Sequence, residues 1–304
     1  MINSHTFENL TWTDLHDPTT DEIKEVTKNR KIDPSFAEDL TTPTHKSQAN
    51  AAGDHIYIVL HIPAVRHSHQ DDTKQEIDFI ITEDNLITVR YDEIDPIHKF
   101  AKEFDAEAVM GRTDIGNHGA YIFYHLVQKL YKSIEHELEY IEAELDDIEE
   151  NIFSGNEKKM VAKISQVSRQ LLDIERVFFE QADTLAATKT MSKHLFDDDT
   201  QPLFERLISM HENMHERINW HQQIIKELRD TNTSLVRTKQ NEVVKSLTLM
   251  AFFTFPLALI ASLFGMNTIA TPVVGTPYDF WIILAAMIIL TLIFFGYFKF
   301  KDWI

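Results

Sequence analysis

Charge vanishes from the C-terminal fifth of the chain. Residues 246–278 contain no Asp, Glu, Lys or Arg, and neither do residues 280–298. Within that region, 247–265 and 280–298 are each 19 residues long and lack the polar face of a helix on a soluble surface. About 20 apolar residues, rising 1.5 Å each, cross the ~30 Å hydrocarbon core of a bilayer. The pattern predicts two membrane spans joined by the loop 266–279. Upstream, residues 5–15 (HTFENLTWTDL) alternate as one strand would, and Asp17-Pro18-Thr19 opens a polar helix to about Asn29. Residues 55–62, 76–82 and 85–91 read as strands from their Val, Ile and Tyr content, with a tight turn at Glu83-Asp84-Asn85. The polar stretch 64–74 reads as a linker whose two His, His67 and His69, face water.

After Gly119 the period changes to 3.6 and stays there. Residues 121–153 and 158–193 predict two long helices, separated by Ser154-Gly155-Asn156 as a C-cap and N-cap pair. Asp197-Asp198-Asp199-Thr200 caps a third. Along it Leu207, Met210, Met214, Ile218, His221, Ile225, Leu228, Asn232 and Leu235 recur every three or four residues, the spacing of a helix packed on near-parallel neighbours. No Pro or Gly lies between Leu203 and Pro256, so this helix should enter the first span unbroken, at about 60 residues or roughly 90 Å. The predicted class is an α+β cytosolic part, a small α/β sheet domain with long helices, continuing into a two-helix transmembrane part. Its divisions are 1–118 (sheet domain), 119–199 (helix pair), 200–246 (stalk) and 247–304 (membrane domain).

Composition sharpens that division. The 304 residues include no cysteine, which excludes a disulfide framework, a thiolate zinc site and a cysteine nucleophile. Lys and Arg total 29 against 48 Asp and Glu, a net charge of −19 carried entirely by the first 245 residues. Such a balance argues against nucleic acid as a partner. Nine of the acids fall between Glu135 and Glu150, a solvated face that also attracts cations. Arg237, Lys239 and Lys245 precede the first span, Lys299 and Lys301 follow the second, and the loop has no basic residue. The positive-inside rule then puts both termini in the cytoplasm and the loop outside. The N-terminal MINSHTFENL has no apolar signal core. These features predict a multi-pass protein of the cell (inner) membrane.

One catalytic spacing competes. His211-Glu212-Asn213-Met214-His215 is an H-E-x-x-H match on a predicted helix, which in a zinc protease gives two imidazole ligands and Glu212 as general base. It lies inside the Met210/Met214 stripe and no third ligand follows, so an inter-helix His pair is the expectation and a membrane-anchored zinc metalloprotease the alternative. A non-conducting, membrane-anchored coiled-coil scaffold is a third class. An inert anchor has no need of Thr248, Pro256 and Asn267 along one span.

The residues around the first span are more specific. Asn241-Glu242-Val243-Val244-Lys245-Ser246-Leu247-Thr248, then Phe255-Pro256-Leu257, then Phe264-Gly265-Met266-Asn267 follow one another at the end of a long stalk. With Trp12-Thr13-Asp14-Leu15, Pro34…Glu38-Asp39 and the strands around Asp78 and Thr88-Val89, the whole chain resembles the CorA family of divalent-cation channels. The resemblance implies a funnel-shaped homopentamer in membrane lipid, with the first span of each subunit lining one pore. It implies a selectivity filter of Gly265, Met266 and Asn267, with Asn267 holding the hydrated ion. Asn241, Val244, Leu247, Phe255 and Ala258 would line the pore, with Asp230 at the cytosolic end. The cargo and regulatory ion would be Mg²⁺, with Co²⁺ or Ni²⁺ as further cargo, no covalent cofactor and no enzymatic activity. Physical chemistry agrees: Mg²⁺ dehydrates reluctantly, and a ring of neutral amides can hold its waters without trapping it. Two departures bear on the metal. The loop reads Thr268-Ile269-Ala270-Thr271-Pro272-Val273-Val274 where many magnesium transporters carry an acidic Met-Pro-Glu-Leu, and Ala258 replaces a frequent Thr. The zinc-transporting ZntB branch, which shares this build, is the alternative. Feedback by internal divalent ions is also implied, with 135–150 and 197–199 as candidates by charge and its site residues left open.

Overall fold

The computed structural model describes residues 1–64, 74–110, 117–266, 272–301 and 303. It divides into two compact units, Met1–Arg229 and Asp230–Ile304. The N-terminal unit is built on a six-stranded sheet of order β1-β2-β6-β5-β4-β3. The strands are β1 (Ile2–Phe7), β2 (Leu10–His16), β3 (Gln48–Ala52), β4 (His55–Pro63), β5 (Lys74–Ile81) and β6 (Asn85–Arg90). All neighbours run antiparallel except β2 and β6, whose parallel pairing joins an N-terminal hairpin to a four-strand meander.

The single strand expected over 5–15 is therefore two. Glu8 takes a left-handed φ of 51° and folds the segment back, so that Phe7 faces Leu10. The expected helix after Asp17 is α1 (Thr20–Asn29), closed by a capping box in which the Thr19 hydroxyl accepts from Glu22 N–H and the Glu22 carboxylate accepts from Thr19 N–H. Three elements absent from the sequence reading are present: α2 (Pro34–Asp39), edge strand β3 and α3 (Asp95–Met110). Linker residues 65–73, with His67 and His69, lie outside the described residues.

Alternation along the strands gives the sheet two covered faces. On one, Tyr57, Val59, Ile80, Ile87 and Val89 pack with Ile23 and Val26 of α1, Phe36 of α2 and Leu40 at the α2 C-cap. On the other, Phe79 meets Phe123 of α4 (Gly119–Phe153) edge-on at 5.1 Å, and Trp12 meets Phe100 of α3 at 5.2 Å. This face carries a buried polar chain. Trp12 Nε1–H donates to Thr88 Oγ1 (3.1 Å), whose hydroxyl donates to Asp14 (2.7 Å), and Arg90 Nη2 reaches Asp14 at 3.1 Å. Arg90 is 1% exposed and spends a further N–H on the Asp92 carbonyl at 2.9 Å, so its charge is fully partnered.

The α4 N-terminus sits against the β5–β6 turn. Gly119 N–H donates to the Glu83 carbonyl at 2.9 Å, and a Cβ on Gly119 would stand 2.4 Å from Thr82 O and 2.5 Å from Asn85 O. Only glycine fits this approach. The helix pair is α4 and α5 (Glu157–Leu195), turned by Ser154, Gly155 at φ 92° and Asn156, which makes no side-chain cap bond. Gln181 of α5 ties the pair to the sheet by accepting from Tyr131 Oη and donating to the His61 carbonyl, both at 2.6 Å. A short 3₁₀ turn, Asp198–Thr200, then starts α6 (Gln201–Phe264), whose 64 residues include both the apolar stripe and the first span. Leu207, Met214, Ile218, His221, Ile225, Leu228 and Asn232 of the stripe are buried, while Met210 and Leu235 are half-buried.

Candidate functional site

The C-terminal unit holds the end of α6 and α7 (Asp279–Phe300), each apolar enough to cross a membrane, and neither apolar window is buried. At 22 residues, α7 is about 33 Å long, matching a hydrocarbon core. Tyr278 and Trp281 mark one end, Tyr297 and Trp303 the other, as aromatic residues do at membrane interfaces. The two helices meet at Phe298, which is 4% exposed with Phe252 and Phe253 at 5.7 and 5.8 Å and Trp303 stacked at 5.9 Å.

Against α7 the first span turns a half-buried face that includes Phe253, Pro256, Leu257, Ile260 and Phe264. Pro256 lies inside the helix and cannot return a hydrogen bond to the preceding turn, a site where helices bend. Of the residues singled out as pore-lining, Asn241, Val244, Leu247, Phe255 and Ala258 are all exposed, and so is Asp230. They sit on one long helix, and its apolar members Val244, Leu247, Phe255 and Ala258 are not covered by any of the described residues. Gly265 ends the helix with its N–H on the Ala261 carbonyl at 2.9 Å, followed by exposed Met266. Asn267 lies outside the described residues, as do 268–271. Beyond them the loop folds on Asp279, whose carboxylate accepts from Gly275 N–H at 3.1 Å and from Phe280 N–H at 2.7 Å. The loop's lone acid is thus committed to its own backbone and the start of α7, a role that sequence did not disclose.

The H-E-x-x-H residues do not form a metal centre. His211 is buried, its Nε2–H donates to the Phe178 carbonyl of α5 at 2.8 Å, and its ring stacks on Phe178 at 5.4 Å. Burial holds its pKa below the ordinary value. The His215 ring lies nearly parallel to it at 6.4 Å, and Glu212 faces solvent. Among the described residues no group of three His, Asp or Glu is placed to hold a metal ion. The spacing serves helix packing.

The acidic run on α4 is partly used within the chain. Arg217 of α6 reaches Glu135 at 3.3 Å and Glu142 at 3.6 Å, and Lys163 of α5 pairs with Asp147. Such exposed pairs stabilise little individually and fix which helix faces meet. Across α3, α4 and α6 lies an open cavity of about 730 Å³, with Phe100, Phe104, Tyr131 and Met214 in its floor and Lys132 and Glu135 at its rim.

A sheet-bearing unit whose last helix continues into the first of two C-terminal apolar helices is the build of a membrane transporter. Residues 7–299 match the family described as CorA-like Mg²⁺ transporter protein, and the chain belongs to that family. It is 24% identical over 94% of its length to the cobalt/magnesium transport protein CorA of Thermotoga maritima, covering 80% of that protein. The complete structure of the CorA magnesium transporter from Methanocaldococcus jannaschii shares the fold at a TM-score of 0.83 and 21% identity, covering 98% of this chain and 93% of that one. The cytoplasmic domain of ZntB from Vibrio parahaemolyticus matches more loosely, with a TM-score of 0.62 at 12% identity over 76% of this chain and 88% of that one.

Proposed function

We propose that the protein is a channel for hydrated divalent cations, Mg²⁺ before Co²⁺ or Ni²⁺, working as a homopentamer in the cell membrane. One observation carries the reading: in a chain matched over 7–299 to CorA-like Mg²⁺ transporters, a single helix, Gln201–Phe264, includes an apolar span and ends just before the sequence Gly265-Met266-Asn267. Five such helices would bring the exposed Asn241, Val244, Leu247, Phe255 and Ala258 to a common axis, with a ring of Asn267 amides at the outer mouth and Asp230 at the inner one. Amide oxygens hydrogen-bond the ion's water shell, so the ion passes without the cost of dehydration. Rings of Leu247 and Phe255 suit closure by dewetting. Subunits that each carry −19 repel across any interface narrower than about 8 Å of screening, and internal divalent ions between them would favour the closed state.

The test is flux into liposomes holding only this protein, read with metal-sensitive dyes for Mg²⁺, Co²⁺, Ni²⁺ and Zn²⁺, with and without a pH gradient. Asn267→Ala should abolish flux while leaving assembly intact, and wild-type flux in that variant would remove Asn267 from the pore. Zn²⁺ flux driven by the pH gradient, with none for Mg²⁺, would favour the ZntB-like alternative, which the lack of a free loop acid supports. Orientation is tested by Val274→Cys, which should react with an impermeant thiol reagent from outside, against no native cysteine background.

A further inference from the structure

On the α1–α2 face of the sheet, at its centre, lies a buried carboxyl group that no described residue pairs with. Asp78 is 0% exposed, and neither of its oxygens has a hydrogen-bond partner. Across the two ladders it stands opposite Val59 of β4 and Val89 of β6. Its own strand places Ile80 on one side and Glu76 on the other, two residues away on the same face. From β4, Tyr57 turns toward it with a buried hydroxyl that is likewise unpartnered, and Tyr91 follows β6 with its hydroxyl donated to the Leu40 carbonyl at 3.1 Å. From above, α1 contributes only Ile23 and Val26 to this core, its charged side chains lying outside it, and α2 contributes Phe36, and Leu40 at its C-cap, with Asp39 at its exposed end. Among the described residues no cation forms an ion pair with Asp78. His61 of β4 is spent on Glu76, its Nε2 lying 3.1 Å from that carboxylate, which also accepts the Thr44 N–H at 2.8 Å.

The two acids are therefore unequal. Glu76 has donors that satisfy a negative charge, and Asp78 has burial, a charged neighbour in Glu76 and a more distant one in Asp39. An isolated buried carboxylate is far costlier than a buried carboxylic acid, which can itself donate a hydrogen bond. Burial first, then Glu76, hold the Asp78 pKa well above the carboxylate range. Burial raises the pKa of Tyr57 and Tyr91 as well, so neither phenol supplies a charge of its own at neutral pH.

We propose that Asp78 is a proton-binding site of the N-terminal unit: the sheet holds a neutral carboxylic acid there at neutral pH, and ionising it loosens the α1–α2 layer. The sign follows from linkage. Between the ordinary carboxylate range and its own raised value, the folded chain keeps a proton that the unfolded chain has lost. Stability from this group is full at low pH and declines as pH rises through that window.

The experiment uses the full-length protein in detergent, comparing wild type, Asp78→Asn and Glu76→Gln from pH 4 to 9. Infrared difference spectra of wild type carrying ¹³C-carboxyl aspartate should show one carboxylic-acid C=O band at pH 7, absent from Asp78→Asn. The Tm of wild type should fall relative to Asp78→Asn as pH rises, by about 3–5 °C for each tenfold excess of the protonated form. Glu76→Gln, which removes the opposing charge, should move the infrared band's loss to lower pH. If Asp78→Asn does not fold, the wild-type and Glu76→Gln spectra decide alone. No protonated aspartate band in wild type at pH 7, or an unchanged Tm difference from pH 4 to 9, would overturn the proposal.

Discussion

The contact between Gly119 and the β5–β6 turn yields a prediction whose size can be worked from coordinates. In Gly119→Ala the new methyl must retreat from Thr82 O and Asn85 O, from 2.4 and 2.5 Å to at least 3.0 Å, and both obstacles are backbone atoms that cannot rotate away. Either the helix start or the turn has to move, which costs about 1–3 kcal/mol in a close-packed interior. Moving them also stretches the 2.9 Å bond from Gly119 N–H to Glu83 O, worth about 1 kcal/mol. Alanine's better helix propensity returns up to about 1 kcal/mol. The net expectation is a loss of about 1–3 kcal/mol, or a Tm fall of roughly 3–10 °C for a unit of this size. Circular dichroism melts of the full-length protein in detergent would measure it. Gly296→Ala is the control, since a Cβ there meets nothing within 4 Å, and its Tm should stay within error of wild type. A Gly119→Ala Tm at or above wild type would refute the steric reasoning.

Three further outcomes are expected. Arg90→Met leaves Asp14 buried without its cation and should destabilise by about 3–5 kcal/mol, with the Asp14→Asn and Arg90→Met double variant recovering part of the loss in the same melts. Glu212→Gln should leave cation flux unchanged, and neither protein should cleave a casein substrate, because His211 Nε2 is already engaged by Phe178. His118, His211 and His221 are each held below the ordinary value of 6.5 by burial, so the unfolded chain takes up protons first as pH falls. Stability from these groups should be full above the ordinary imidazole range and be lost as pH falls through and below it, and His211→Gln should flatten that decline in Tm against pH.

The helical half of the molecule was legible because its apolar positions repeat at 3.6 over more than 30 residues, long enough for period to override local noise. The spans were clearer still, since charge is excluded from them. β3 escaped because its sequence, QANAA, sits on an edge with mostly exposed side chains and no apolar alternation. α2 carried a signal that could have been read: Asp33 caps it and Pro34 opens it. The hairpin at Glu8-Asn9 hid because no Gly or Pro marks it and the residue that takes the left-handed φ is a Glu, which seldom does. No pattern announces that β2 pairs with β6, or that Asp14, Asp78, Arg90 and Gln181 are interior, because local sequence cannot see a partner a whole domain away. For the candidate pore the motif residues were readable, while the engagement of Asp279 by Gly275 and Phe280 N–H was not.

The lone parallel seam in the sheet sets an order for the chain's synthesis. Trp12 and Thr88, hydrogen-bonded across that seam, are 76 residues apart, and closing a loop of that length costs about 4 kcal/mol of chain entropy. The hairpin β1–β2 emerges first from the ribosome and can form at once, as can the meander β3 to β6 when its turn comes. Neither can bury Asp14 until Arg90 has been made. The other half of the sheet's second face waits longer, for Gln181 of α5 to reach His61. Through that interval an apolar sheet surface stands open before the apolar C-terminal helices have been made. Nascent chains halted between β6 and α5 should therefore be the ones that chaperones hold and proteases cut, whereas chains halted after Leu195 should already resist both.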